Sequence, residues 1–384
     1  MRRFVFLSVL VILAVVVLGF VSVLPQGDDR NSLKDSGDSK VQSTLEDPTE
    51  EPTSKDKNFR IETIEENLDT PWGIVFLPNK SMLVTERQGR VHLIENGNVT
   101  LVATIDKARE ISEGGLLGIA LHPNFSSNNF VYLYYTFEER GGNTFNRVVR
   151  MTYSNKTLID ETIIVDKIPG ARNHNGGRIK FGQDGFLYIT TGDAENPSQS
   201  QDINSLAGKI LRVTDTGQTA PENPFNSLVY SYGHRNAQGL AWDTNGNLWA
   251  TEHGRSGALS GLDELNLITA GKNYGWDIIQ GDEKKEGMET PRLNSGDDTW
   301  APAGAAFVGN SLFFAGLRGQ ALYESITNGN QVTLKEHLKG EFGRIRDVVL
   351  GPDNMLYITT SNQDGRGNPI ADDDRIIKVN PQGL

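Results

Sequence analysis

The chain has 384 residues, with 41 Gly, 15 Pro, no Cys and a formal net charge of −12. Disulfides and thiol chemistry are excluded, and the acidity argues against nucleic acid as a partner. The length suffices for a large core, and the glycine content suits a fold with many tight turns.

Arg2 and Arg3 precede an apolar run over residues 4–24. A basic flank before an apolar stretch of this length reads as a signal peptide or an N-terminal membrane anchor within residues 1–25, able to tether the chain to a membrane. Either way the body is expected to be exported. Residues 26–57 are Asp, Glu, Ser, Lys, Thr and Pro with almost no large apolar residue, the composition of a disordered linker. The globular domain is expected over residues 58–384.

From there one phrase recurs six times. An apolar strand runs into a turn rich in Pro, Asn, Asp or Gly, and a second apolar strand leaves it, ending in Thr in most copies. In chain order the copies are 74–86 (IVFLPNKSMLVTE), a weaker one from Ile119 (IALHPNFSSNNFVYLYYT), 179–191 (IKFGQDGFLYITT), 240–252 (LAWDTNGNLWATE), a weaker one from Ala305 (AAFVGNSLFFAGL) and 348–360 (VVLGPDNMLYITT). Each reads as a β-hairpin. A hairpin cannot bury both faces alone, so repeated units pack on one another. Six copies at roughly 45–65 residue spacing predict an all-β fold, a six-bladed β-propeller.

Strand ends on one face of a propeller surround a central channel, so polar clusters at equivalent edges converge. Before the third copy stands Arg172-Asn173-His174-Asn175, and after it Thr191-Gly192-Asp193. A His oriented by a carboxylate is the usual arrangement of a general base, which makes His174 and Asp193 the candidate couple. His234-Arg235-Asn236 precedes the fourth copy, Arg318 follows the fifth, and Arg344 and Arg346 precede the sixth. Two residues apart on an extended strand, Arg344 and Arg346 share a face. Four arginines from three blades make a cationic pocket suited to carboxylates or phosphates. Glu252 to Arg255, Asp263-Glu264 and Lys272 to Trp276 offer carboxylates and turn carbonyls of the kind calcium takes. Asp372-Asp373-Asp374 reads as a solvated turn. No P-loop, dinucleotide fingerprint, HExxH or GxSxG motif is present. The residues describe a channel mouth that binds a polyanionic organic ligand beside a proton-abstraction site.

The phrases LDTPWGIVFLP, GGLLGIALHPNF, NHNGGRIKFGQDGFLYITTGD, YGHRNAQGLAWD, DELNLITAGKNYGW and GRIRDVVLGPDNMLYITT, in this order, resemble the soluble glucose/sorbosone dehydrogenase family. That family includes aldose sugar dehydrogenases dependent on pyrroloquinoline quinone (PQQ). The resemblance implies a six-bladed propeller that oxidises aldoses at C1 to lactones by hydride transfer to PQQ held with Ca2+, and passes electrons to an external acceptor. It implies His174 as catalytic base and Asp193 as the residue that holds it. Arg235, Asn236, Arg344 and Arg346 match cofactor-binding positions, and Trp300 an aromatic beside cofactor and sugar. The main-chain carbonyls of Gly254 and Arg255 match those that hold the cofactor's calcium, and Glu264 and Tyr274 match ligands of a second calcium. Three positions depart from the family pattern. Glu113 stands where Gln is usual and either takes a proton or pairs with an arginine. Arg318 replaces a Lys, and Arg255 a Pro.

Two other readings remain at this stage. A non-catalytic propeller that binds a sugar or protein is one, because fold does not fix function; it has no need of His174, Asp193 and the arginine set together. A calcium-dependent hydrolase or lactonase is the other; a neutral lactone gives the arginines nothing to hold.

Overall fold

The computed structural model describes residues 60–257, 260–328 and 331–384. The expected targeting segment (1–25) and linker (26–57) lie outside the described residues. Among the described residues, no helix is long and apolar enough to cross a membrane.

Among the described residues, twenty-four strands form six four-stranded antiparallel sheets. Each recurring phrase supplies the first two strands of one sheet. The first blade runs Pro71–Phe76, Met82–Glu86, Arg90–Glu95 and Asn98–Thr104, and the second begins Leu116–Leu121 and Phe130–Glu138. The third opens with Ile179–Phe181 and Leu187–Thr190, the fourth with Ala237–Trp242 and Leu248–Glu252, the fifth with Pro302–Val308 and Ser311–Gly316. The sixth is closed across the chain. Its strands Ile345–Leu350, Leu356–Thr360 and Ile376–Val379 are completed by Ile61–Glu65, which pairs antiparallel with Ile376–Val379. This pairing ties the two ends of the ring and removes the open edge that a linear row of sheets would leave.

The core is divided among the blade interfaces. One apolar cluster lies between each neighbouring pair of blades, such as Leu83 and Val91 against Leu116 and Leu133, or Leu68 and Ile74 against Tyr357 and Ile376. In two blades the threonine near the end of the recurring phrase belongs to this joint. Thr85 Oγ1 accepts the Gly73 N–H at 3.1 Å within its own blade and donates to the Leu117 carbonyl of the next at 2.6 Å. Thr251 likewise donates to the Ala303 carbonyl at 2.6 Å. A β-branched strand former thus satisfies backbone groups left over where the inner strand is irregular.

That irregularity positions the site. The pairing of first with second strand shifts register between Pro71 and Gly73, Leu116 and Ile119, Ala237 and Gly239, Pro302 and Ala305, and Ile345 and Asp347. A bulge near the start of an inner strand re-aims side chains. Residues at or just before the bulged strands of the second, fourth, fifth and sixth blades, Glu113, Arg235, Ala301 and Arg344 among them, line one cavity with the loop that enters the third.

Candidate active site

His174 lies in the loop that enters the third blade, and Asp193 just past that blade's second strand. Nδ1 of His174 is 2.7 Å from Oδ1 of Asp193. Asp193 is fully buried and takes two further donors, the main-chain N–H of Glu195 at 2.9 Å and the indole N–H of Trp276 at 2.8 Å. An ionised carboxylate accepts only, so Nδ1 carries the proton and Nε2 presents its lone pair. Nε2 has no protein partner among the described residues, and His174 lines a cavity of about 200 Å³ at the channel mouth.

The backbone behind the couple is tightly fitted. His174 has a φ of +58°, a left-handed conformation unusual for a side chain of this size. Its N–H donates to Glu113 Oε2 at 3.0 Å, and its carbonyl accepts the Ala194 N–H at 3.2 Å. A Cβ on Gly192 would stand 1.8 Å from that carbonyl. Only glycine lets the segment carrying Asp193 approach the histidine loop so closely.

The same cavity is lined by six arginines: Arg235, Arg255, Arg318, Arg344, Arg346 and Arg366. Two are paired. Arg344 grips Asp364 through Nε at 3.0 Å and Nη2 at 2.7 Å, and Arg366 pairs with Glu113 at 2.5 Å. The other four have no carboxylate partner among the described residues. Arg235 donates to the Ser256 hydroxyl at 2.6 Å, Arg318 to that of Ser260 at 3.0 Å, and Arg346 to the Gln238 side-chain carbonyl at 3.1 Å. The Nε atoms of Arg255 and Arg346 are buried without a partner. Burial pushes the Arg346 guanidinium down to about 9, with Asp364 too little to offset it. Arg235 and Arg346 are cations held out of water, Arg255 is half-buried and Arg318 is exposed.

Glu113 is resolved by its neighbours. Burial pushes its carboxyl up, but His253, Arg366 and the His174 amide outweigh this and hold it at about 2. It is ionised and paired with an arginine, rather than protonated. His253 is buried beside Arg235 and Arg346, and burial above all pushes it down to about 3. It is neutral at pH 7. The unfolded chain takes up a proton there below 6.5, while the folded chain does so only near 3. Lowering pH through that window therefore favours unfolding. The apo-protein is expected to lose melting temperature as pH falls below about 6.5, and less steeply in His253→Gln, as scanning calorimetry across pH can check.

Not every expected residue faces the cavity. The Asn236 carbonyl oxygen accepts from the Gly176 N–H at 3.0 Å and from Gln238 at 3.2 Å, so Asn236 braces the histidine loop from behind. Trp300 is buried against Phe314 and Tyr323 and lines a neighbouring shallow groove that shares Ser260, Thr299 and Arg318 with the cavity. Both therefore act here through packing and hydrogen bonds rather than by lining the cavity.

Gly254, Arg255, Glu264 and Tyr274 surround a smaller adjoining cavity. Burial, and the nearby Glu252, push the Glu264 carboxyl up. The Tyr274 hydroxyl is committed, donating to the Leu267 carbonyl at 2.6 Å and accepting from Thr269 at 2.9 Å. The phenol is thus not a free metal ligand. Among the described residues, no three His, Cys, Asp or Glu side chains cluster as a metal site. The carbonyls of Gly254 and Arg255 accept no hydrogen bond from the described residues.

Sequence reasoning missed Trp276 as a support of Asp193, Gln238 as a support of Arg346, and Arg366 altogether. Trp276 stood in a quoted motif, but 83 residues separate it from Asp193. It also missed that Asp373 and Asp374 are buried. Asp374 accepts from Thr360 at 3.0 Å and from the Asn362 N–H at 2.6 Å, and Asp373 pairs with Arg375 at 3.1 Å. Together they staple the loop that carries Arg366.

Known proteins resemble this chain in sequence and fold. The family model for glucose/sorbosone dehydrogenase matches residues 68–371. The aldose sugar dehydrogenase YliI of Escherichia coli is 30% identical over 84% of this chain and 93% of its own. Quinoprotein glucose dehydrogenase B of Acinetobacter calcoaceticus is 32% identical over 61% of this chain and 55% of its own. Among solved structures, the PQQ-bound aldose sugar dehydrogenase of Streptomyces coelicolor superposes with a TM-score of 0.78 at 39% identity, covering 83% of this chain and 97% of that one. With most of its length matched by the family model, this chain belongs to the glucose/sorbosone dehydrogenase family.

Proposed function

We propose that the protein oxidises aldose sugars at C1 to lactones with PQQ and calcium. One observation carries the reading: four arginines without a carboxylate partner line the same cavity as the unpartnered Nε2 of His174. PQQ is a tricarboxylate, and a cavity with unsatisfied buried guanidinium atoms suits it. Arg235, Arg318 and Arg346 would hold its carboxylates, with Arg344 contributing where Asp364 leaves its fork free. The unclaimed carbonyls of Gly254 and Arg255 would serve the cation. When bound, PQQ supplies the hydride acceptor and calcium the Lewis acid.

The chain's own groups handle the proton. Nε2 of His174 takes it from the C1 hydroxyl of the sugar. Asp193 stabilises the resulting imidazolium and, fixed by Trp276 and the Glu195 N–H, keeps the ring aimed. The apolar run at residues 4–24 behind Arg2 and Arg3 supports the reading that this takes place beyond the cytoplasm, with electrons leaving to an external acceptor. A propeller that only binds sugar has no use for a base held by a carboxylate that two further donors fix.

Reconstitution with PQQ and calcium is expected to give sugar-dependent reduction of an artificial dye across several aldoses. Absence of dye reduction over a broad aldose panel, with PQQ shown to be bound, would favour a binding protein instead.

A further inference from the structure

Glu113 lies in the loop between the first two blades, Asn173 and His174 in the loop entering the third, and Arg366 in the loop after the second strand of the sixth. Arg366 joins all three. One arm of its fork meets Glu113 Oε1 at 2.5 Å, and the other donates to Asn173 Oδ1 at 2.9 Å. Glu113 Oε2 accepts the His174 N–H at 3.0 Å, and the Ser112 hydroxyl donates to Asn173 Oδ1 at 2.9 Å. The Arg366 main-chain N–H is anchored on Asp364, the carboxylate that also pairs with Arg344.

A carboxylate in a cavity built from cations opposes any anionic ligand. It also grips a main-chain N–H more strongly than an amide oxygen does, and the N–H it grips belongs to a residue in left-handed backbone. We propose that Glu113 and Arg366 form one positioning device: Glu113 fixes the main chain of His174, and Arg366 cancels the charge that Glu113 brings to the anion-binding cavity. Arg366 thereby balances charge and is not itself a ligand of the anion. The identity of the anion rests on the function proposed above, whereas the balance of charge is a property of the protein's own side chains.

The test compares the wild type with Arg366→Met, Glu113→Gln and the double variant, each titrated with PQQ by tryptophan fluorescence. Arg366→Met is expected to bind about tenfold or more weakly, Glu113→Gln as tightly as wild type or more so, and the double variant close to wild type. Rescue by the second substitution is the signature, since loss of a purely structural contact would not be repaired by it. A double variant as weak as Arg366→Met would overturn the proposal, because the arginine would then touch the ligand. An Arg366→Met protein as tight as wild type would overturn it too.

The same four proteins are melted with citrate, a tricarboxylate without redox chemistry. If the wild type fails to bind PQQ but citrate stabilises the variants in the expected order, the cofactor reading falls and the device stands. If citrate shows no such order either, the device falls as well. For the positioning half, Glu113→Leu with Arg366→Met is expected to bind PQQ like the Gln double variant yet lose about tenfold in kcat. Equal kcat in the two double variants would overturn that half.

Discussion

Replacing His174 by alanine is expected to lower kcat for aldose oxidation by about 10²–10⁴-fold while PQQ affinity stays within a few-fold. The imidazole is the group with a free lone pair at the cavity, and its other nitrogen is fixed by Asp193 at 2.7 Å. The cavity's arginines owe nothing to the ring, so binding survives its removal. One complication is built into the backbone, because φ at His174 is +58°. Alanine is strained there, whereas asparagine tolerates the left-handed region. His174→Asn is therefore the control: it is expected to show the same loss of turnover with a melting temperature near wild type. Steady-state rates with PQQ affinities measured in parallel separate the two effects. Near-normal turnover in His174→Asn would show that another group takes the proton.

The second large effect is expected at Arg346. Arg346→Met should weaken PQQ binding by about 10²-fold, as loss of a buried charged partner of a carboxylate does. The apo-protein should melt at the same temperature as wild type or higher. Arg346 is buried, has no carboxylate partner, leaves Nε unsatisfied and is pushed down to about 9 by burial. Its guanidinium lies 5.8 Å from the ring of Trp72, whose face is also covered by Arg178 at 4.2 Å. Methionine keeps the apolar contact with that ring and removes an unpaired buried charge, at the loss of one hydrogen bond to Gln238. Opposite signs for stability and affinity are the mark of a residue kept for its ligand. A fall in both would mean that Arg346 serves the fold.

The blades were legible because each begins with a hairpin whose turn and alternation are local, and because a threonine closes most of them, in two blades as the joint to the next. The His174–Asp193 couple was legible because one hairpin brings its two ends together. Arg344 and Arg346 stood at the head of an inner strand, where a two-residue spacing and a bulge aim both into the channel. Arg366 had no such signal. It sits in an irregular loop, and its partner Glu113 is 253 residues away. Buried Asp373 and Asp374 look in sequence like any acidic turn, since the amides and the arginine they satisfy are arranged only by the closed ring. The resemblance brought in Asn236, Trp300 and Tyr274 as site residues. The structure engages the Asn236 side-chain oxygen, the Trp300 ring and the Tyr274 hydroxyl within the protein, while Asn236 Nδ2 is left buried without a partner, and this follows from tertiary packing that no local pattern encodes.

The central claim is that an anion-binding set of arginines and a histidine base work on one sugar in one cavity. Its most direct test is the absorption spectrum of the protein loaded with PQQ and calcium, recorded without oxygen before and after glucose is added. The account predicts that sugar converts the bound quinone to its reduced form in the wild type and leaves it oxidised in His174→Asn. A wild-type spectrum unchanged by glucose and other aldoses, with the cofactor bound, would contradict it.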